Sequence, residues 1–436
     1  MGTLDVGAAK LRLVLHVTST PSGLTATMDS IDQSANGMKI DTITLTGSAV
    51  HFELNLIQGS YDGALKADGS EISGQWKQGG AELPLTMKRI DKAPEAPTKP
   101  QDPKKPYPYQ EEEVAYENKK AGIKLAGTLT FPRGKGPFPA VLLITGSGPQ
   151  NRDEALAGHR PFLVLADHLT RHGIAVLRVD DRGVGGSSGD TMKSTSADFA
   201  DDVLAGIQFL KMRKEVNAAQ IGLVGHSEGG MIAPMVATNS PDVAFIVLMA
   251  GPGVPSEELL YAQGDAIAKA MGADAETRAK NRELQAQMFA VLRGEGDSAA
   301  IEKKMKDMLA KTLPDLTKQQ QALVNAQREM ALTPWFRYFI RYDPAPVLQK
   351  VKCPVLAING ELDLQVLADQ NLPAIEAALK AGGNKDYEVR KLAKLNHLLQ
   401  TAETGSPAEY GKIEETMAPV ALDAISDWIV RRTTPH

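Results

Sequence analysis

The chain reads as an α/β protein: a mainly parallel sheet flanked by helices, interrupted by an inserted helical cap and preceded by an antiparallel all-β domain. Three observations carry this. Short apolar runs at 140–144, 176–179, 221–224, 245–250, 354–360 and 387–392 each end in a loop of glycine or polar residues, as buried parallel strands do. One of them leads into Gly225-His226-Ser227-Glu228-Gly229 and then a helix-compatible stretch, 231–237. Residues 11–89 instead alternate with period two.

In chain order, the alternating runs 11–17, 24–28, 50–54 and 72–77, broken by turns such as Ala67-Asp68-Gly69, predict antiparallel strands in a sandwich or partial barrel over residues 1–90. Pro94, Pro97, Pro100, Pro103, Pro106 and Pro108, with lysines between them, predict an extended spacer over 91–110. The α/β core occupies 111–251 and resumes over 347–436. Between these parts, 252–346 carries a helical pattern, with Ser256 expected as an N-cap and Leu284, Met288 and Leu292 on one face. An insertion there is placed to exclude water and shape a pocket. Trp335-Phe336-Arg337-Tyr338-Phe339 concentrates aromatics in a chain that is 5% aromatic, and is expected as the joint between cap and core and as a pocket wall. Met271, Met288, Met305, Met308 and Met330 are expected to fill helix contacts.

A serine between glycines at a strand-to-helix turn is the sequence form of a nucleophile elbow. Such a serine needs a histidine to take its proton and a carboxylate to orient that histidine. Asp363 and Glu361 follow the strand at 354–360, and His397 follows the strand at 387–392, both at strand C-termini where open α/β sheets place their sites. Ser227 is assigned as nucleophile, His397 as base and then acid, and Asp363, ahead of Glu361, as the orienting carboxylate. The loop 145–153 after the strand at 140–144 supplies the oxyanion side. The N–H groups of Glu228 and Ser147 are the expected donors. Gly146, Gly148, Gln150 and Trp335 are the expected substrate contacts. His226 is read as fixed by the elbow, and Asp181 with Arg182 as an ion pair beside the site. Gly183, Gly185 and Gly186 lack nucleotide-loop spacing. His168 and His172, four apart, lack a third metal ligand and read as helix surface.

From about residue 109 to 428 the chain resembles the α/β-hydrolase superfamily, and within it the bacterial EstD-type carboxylesterases. The matching pieces are Gly146-Ser147-Gly148-Pro149-Gln150-Asn151-Arg152-Asp153-Glu154, Asp180-Asp181-Arg182-Gly183-Val184-Gly185, Gly225-His226-Ser227-Glu228-Gly229-Gly230 and Leu395-Asn396-His397-Leu398-Leu399-Gln400. The resemblance implies a serine esterase for short acyl esters that needs no cofactor. A peptidase or amidase on the same triad, and a non-catalytic binding protein on the same fold, are the rival readings. The loop 364–367 lacks the proline that often closes this turn in the superfamily.

Composition sets limits. With 436 residues, 42% of them hydrophobic, the chain exceeds one ordinary domain and suffices for a sizeable core, and its net charge of −5 argues against nucleic acid as main partner. No apolar stretch approaches the roughly 18 residues of a membrane span. The single Cys353 excludes an intramolecular disulfide and is expected to be inert. Residues 1–10 show no basic-then-apolar signal. A processed form, periplasmic or secreted, is the favoured expectation, with the cytoplasm as alternative. The partner expected is a small-molecule ester. The β domain is expected to pack on the core or to mediate a homodimer, rather than to bind a ligand or polymer.

Overall fold

The computed structural model describes residues 1–5, 10–21, 23–33, 35–57, 59–78, 81–92, 99–294 and 296–434. The chain divides into two compact units. One comprises residues 1–98, 155–159 and 309–333, the other 99–154, 160–308 and 334–436. The helical insertion read over 252–346 is therefore shared between them.

The first unit is built on nine strands: β1 (Gly2–Asp5), β2 (Lys10–Thr20), β3 (Gly23–Ser30), β4 (Ala35–Lys39), β5 (Thr42–Thr46), β6 (Ala49–Leu54), β7 (Gly59–Leu65), β8 (Glu71–Gln78) and β9 (Ala81–Lys88). They form one sheet in the order β4-β3-β2-β1-β9-β8-β7-β6-β5, in which every pairing is antiparallel. Apart from β4 and β5, strands adjacent in sequence are adjacent in the sheet, and β9 returns to β1, so the order is that of an up-and-down barrel with one seam, between β4 and β5. At that seam Ile40 N–H donates to the Ala26 carbonyl (3.1 Å) and Asp41 N–H to that of Glu53 (2.8 Å). The inward side chains Met28, Phe52, Leu54, Tyr61, Trp76 and Leu85 are buried. Phe52 stacks on Tyr61 with centroids 4.9 Å apart. The Tyr61 hydroxyl donates to the Leu85 carbonyl, and burial pushes its pKa up to about 12.

The second unit carries an eight-stranded sheet with helices on both faces. Its elements are β10 (Gln110–Asn118), β11 (Ile123–Phe131), β12 (Phe138–Ile144), α1 (Pro161–Arg171), β13 (Ala175–Val179), α2 (Ser196–Lys211), β14 (Val216–His226), α3 (Glu228–Asn239) and β15 (Phe245–Met249). Next come the helices α4 (Ser256–Ala270), α5 (Ala275–Arg293), α6 (Ser298–Thr312), α7 (Lys318–Ala331) and α8 (Pro334–Phe339), of which α7 belongs to the first unit. The chain ends with α9 (Ala345–Leu348), β16 (Val355–Gly360), α10 (Ala368–Ala381), β17 (Tyr387–Leu392) and α11 (Pro419–Thr433).

The sheet order is β10-β11-β13-β12-β14-β15-β16-β17. β11 runs antiparallel to both neighbours, and the strands from β13 to β17 are mutually parallel. This is the α/β-hydrolase arrangement, here with an N-terminal antiparallel all-β domain. Continuous apolar runs were the signal for β12, β13, β15, β16 and the second half of β14 because both faces of these strands are covered, whereas β10 and β11 were not read from the sequence. In β12, Ala140, Leu142 and Ile144 pack towards α2, α3 and α10, while Val141 and Leu143 pack towards α1 and α11. The strand order reverses around β12 and β14, so the loops after these two strands open on the same crevice.

One local expectation is corrected. Ser256 is the first residue of α4, not its cap, and its N–H bonds to the Tyr342 carbonyl (3.0 Å). Pro94 and Pro97 lie outside the described residues, and the spacer from residue 99 onward is bound along the second unit. There Lys99 Nζ donates to the Ile413 carbonyl (2.8 Å), Gln101 brackets residues 416–417, and Asp102 pairs with Arg160 (2.7 Å). Among the described residues no helix is long and apolar enough to cross a membrane.

Candidate active site

The turn from β14 into α3 holds Ser227 at φ +54° and ψ −115°, a conformation that non-glycine residues rarely adopt. The turn closes this tightly because its flanks lack side chains. A Cβ on Gly225 would lie 2.0 Å from the Gly229 carbonyl oxygen, and one on Gly229 would lie 2.1 Å from that of Ile144. The backbone is pinned by Ser227 N–H to the Met249 carbonyl (2.8 Å), and the serine side chain is left partly accessible.

Asp363 and His397 come from the loops after β16 and β17. His397 Nδ1 donates to Asp363 Oδ2 at 2.8 Å, with both side chains buried. Asp363 Oδ1 accepts the N–H groups of Gln365 (2.8 Å) and Val366 (2.9 Å), so the carboxylate is held by three donors. Asn396 fixes the histidine loop: its Oδ1 accepts from Leu398 N–H and Gln400 N–H (each 3.0 Å) and its Nδ2 donates to Gln400 Oε1 (2.9 Å). With Nδ1 carrying the shared proton, Nε2 is the basic nitrogen. Glu361, the other acid considered, faces away and accepts from Lys394 N–H (3.0 Å).

The Glu228 and Ser147 N–H groups have no acceptor among the described residues. Gly146 lies against the elbow, since a Cβ there would sit 3.3 Å from Ser227 Cβ. Its N–H donates to Glu154 Oε1 at 2.7 Å. Gln150 braces its own loop, with its N–H on Asp181 Oδ2 (2.8 Å) and its amide on the Ser147 carbonyl (3.4 Å). Gly148 takes φ +93° with nothing near its absent Cβ. Trp335 donates its indole N–H to the Glu228 carboxylate (2.9 and 3.0 Å), which also accepts from Ser196 Oγ (2.6 Å). Trp335 stacks on Phe339, which packs with Met231, Leu259 and Val366, so α8 meets the core there.

The Asp181–Arg182 ion pair is also corrected. Arg182 pairs with Asp202 (2.7 Å), Arg152 with Asp180 (2.7 Å), and Asp181 accepts from Thr145 Oγ1 (2.8 Å) with no ion-pair partner among the described residues. Desolvation lifts the Asp181 carboxyl well above the ordinary range, and burial lifts Glu228 in the same direction.

Sequence reasoning missed Glu154. Its Oε1 faces His226 Nδ1 at 2.9 Å, and His226 Nε2 donates to the His397 carbonyl at 3.0 Å. Both ring nitrogens face acceptors, which favours the imidazolium. Burial opposes that charge, but the Glu154 carboxylate outweighs it and raises the pKa of His226. A continuous brace thus runs from Gly146 through Glu154 and His226 to the backbone of His397. The signal was an acid closing the run Arg152-Asp153-Glu154, all three of whose side chains reach distant partners. No group of three or more His, Cys, Asp or Glu side chains among the described residues is placed to hold a metal ion.

The elbow, the histidine–carboxylate pair on the loops after β16 and β17 and the sheet order define an α/β-hydrolase. Residues 121–392 match the X-Pro dipeptidyl-peptidase (S15) family, and the chain belongs to it. Esterase EstD of Thermotoga maritima is 29% identical over 312 residues, 70% of this chain and 66% of that protein, so the match spans just under two thirds of the relative's length. Among solved structures, an esterase of Pyrococcus furiosus is 18% identical with a TM-score of 0.46, covering 76% of this chain and 92% of that one. Est1E of Butyrivibrio proteoclasticus, solved with ferulic acid, is 16% identical with a TM-score of 0.42, covering 73% and 98%. The fold assignment rests on the sheet order and the family match, not on these two likenesses.

Proposed function

We propose that the chain is a serine carboxylesterase acting on short- to medium-chain acyl esters. The observation that carries this is the strained Ser227 elbow with Gly146 of the 145–153 loop against it, and the Asp363-held His397 whose carbonyl is tied to His226, the residue before the nucleophile. In the proposed cycle Ser227 Oγ attacks the ester carbonyl as its proton passes to His397 Nε2. The oxyanion is met by the N–H groups of Glu228 and Ser147. His397 then protonates the leaving alkoxide, and water hydrolyses the acyl-enzyme by the same route.

The family match favours a second reading, cleavage of a dipeptide from a peptide N-terminus. A free peptide amine would call for a carboxylate in the site. Glu228, beside the nucleophile, is already engaged by Ser196 and Trp335, and burial favours its neutral form. The 29% identical relative, an esterase by name, also supports the ester reading.

Initial rates on p-nitrophenyl esters from acetyl to palmitoyl, beside an X-Pro p-nitroanilide, test the proposal. Highest rates on short acyl chains, absent in Ser227→Ala, are expected. Rates on the anilide exceeding those on every ester would replace the esterase reading with the peptidase one.

A further inference from the structure

The β unit holds a cavity that the proposed ester chemistry does not use. Along β2, the side chains on the face shared with Met28 and Ala26 pass from buried Leu13 through half-buried Leu15 to Val17, 49% exposed. On β5, Leu45, opposite Val50 and on the face of Phe52, is 45% exposed. Phe52, Tyr61, Trp76 and Leu85 fill the rest of the interior. What is left is a cup of about 680 Å³ lined by Leu15, Val17, Ile43, Leu45, Leu65 and Ile72. This volume falls within the roughly 300–1,000 Å³ of single-ligand sites, and small barrels hold one ligand in this position.

Apolar walls open to water gain free energy when an apolar body covers them. The rim adds a second kind of information. Lys88 and Arg89 stand there, both exposed. The rim acid, Glu71, is already paired with Lys66 (3.0 Å), and Arg89 has no ion-pair partner among the described residues. An arginine fork at the mouth of an apolar cup is complementary to a carboxylate at the end of an aliphatic chain.

We propose that the β unit binds one free long-chain carboxylate, with its acyl chain in the cup and its head group on Arg89. This gives the unit a ligand-binding function separate from the Ser227 site.

The test is displacement of a fluorescent anthroyloxy fatty acid from the full-length chain by palmitate, followed by the same titration with hexadecanol. One site per chain is expected. Val17→Asp and Leu45→Asp, both at exposed positions, should abolish binding while leaving thermal unfolding unchanged. Arg89→Ala should weaken palmitate on the order of tenfold and leave hexadecanol unchanged. Ser227→Ala, and the parent chain with Ser227 blocked by a phosphonate, should bind as the parent does. Binding that survives both aspartate substitutions, is lost on blocking Ser227, or is equal for palmitate and hexadecanol would overturn the proposal. So would a folded parent chain that binds neither.

Discussion

Asp363 and Glu361 lie two residues apart in one loop, yet only one of them meets His397. Asp363→Asn should lower turnover by about 10⁴ with little change in KM, since the amide disfavours the required tautomer, whereas Glu361→Gln should leave both constants intact. Steady-state kinetics on p-nitrophenyl butyrate separates the two. His226 and Glu228 carry a pH prediction of one sign. Because the pKa of folded His226 is raised, its pairing stabilises fully below the unfolded histidine's pKa and is lost as pH rises through the folded value. Glu228 is also raised, so the folded chain keeps a proton that the unfolded chain has released. Stability therefore falls as pH rises from the ordinary carboxylate range through the folded Glu228 value. Melting temperatures across pH should show a smaller decline in Glu228→Gln than in the parent. An unchanged or steeper decline would contradict the assignment of a raised Glu228.

At the scale of elements, α8 meets the core through the Trp335–Glu228 contact, embedded in aromatic packing. Trp335→Phe keeps the stack on Phe339 but leaves the buried Glu228 short of a donor. A loss of about 1–3 kcal/mol is expected, read from the urea midpoint. Rescue by adding Glu228→Gln would tie the loss to that carboxylate, and equal losses in the single and double variants would not. The strands from β12 to β17 and the elbow were legible because each is a local pattern, an apolar or strand-like run and, after β14, a turn flanked by glycine; β10 and β11 were not read, and β10 alternates with one face exposed. The Glu154–His226 brace, the Trp335–Glu228 contact and the choice of Asp202 over Asp181 by Arg182 were not legible. Each joins residues far apart in sequence whose pairing depends on which loops share the crevice. In the β unit, β2, β3, β6 and β8 showed their alternation, while β1, β4 and β7 are short or rich in glycine and polar residues and gave no such signal.

At the scale of the molecule, each unit has its own hydrophobic core: one around Phe52 and Trp76, the other on the two faces of the hydrolase sheet. Calorimetry should show more than one transition. Phe52→Ala, which removes a fully buried ring at a cost of about 3–5 kcal/mol, should lower only the transition of the β unit. A single transition that moves as a whole would show the units to be thermodynamically one. The central claim concerns Ser227 and is tested most directly by trapping the acyl-enzyme: acid quench during turnover of p-nitrophenyl butyrate, then mass mapping of the peptides. A butyryl group on the Ser227 peptide, absent from Ser227→Ala along with turnover, is the predicted result. Turnover that persists in Ser227→Ala, or an acyl group carried at another residue, would contradict it.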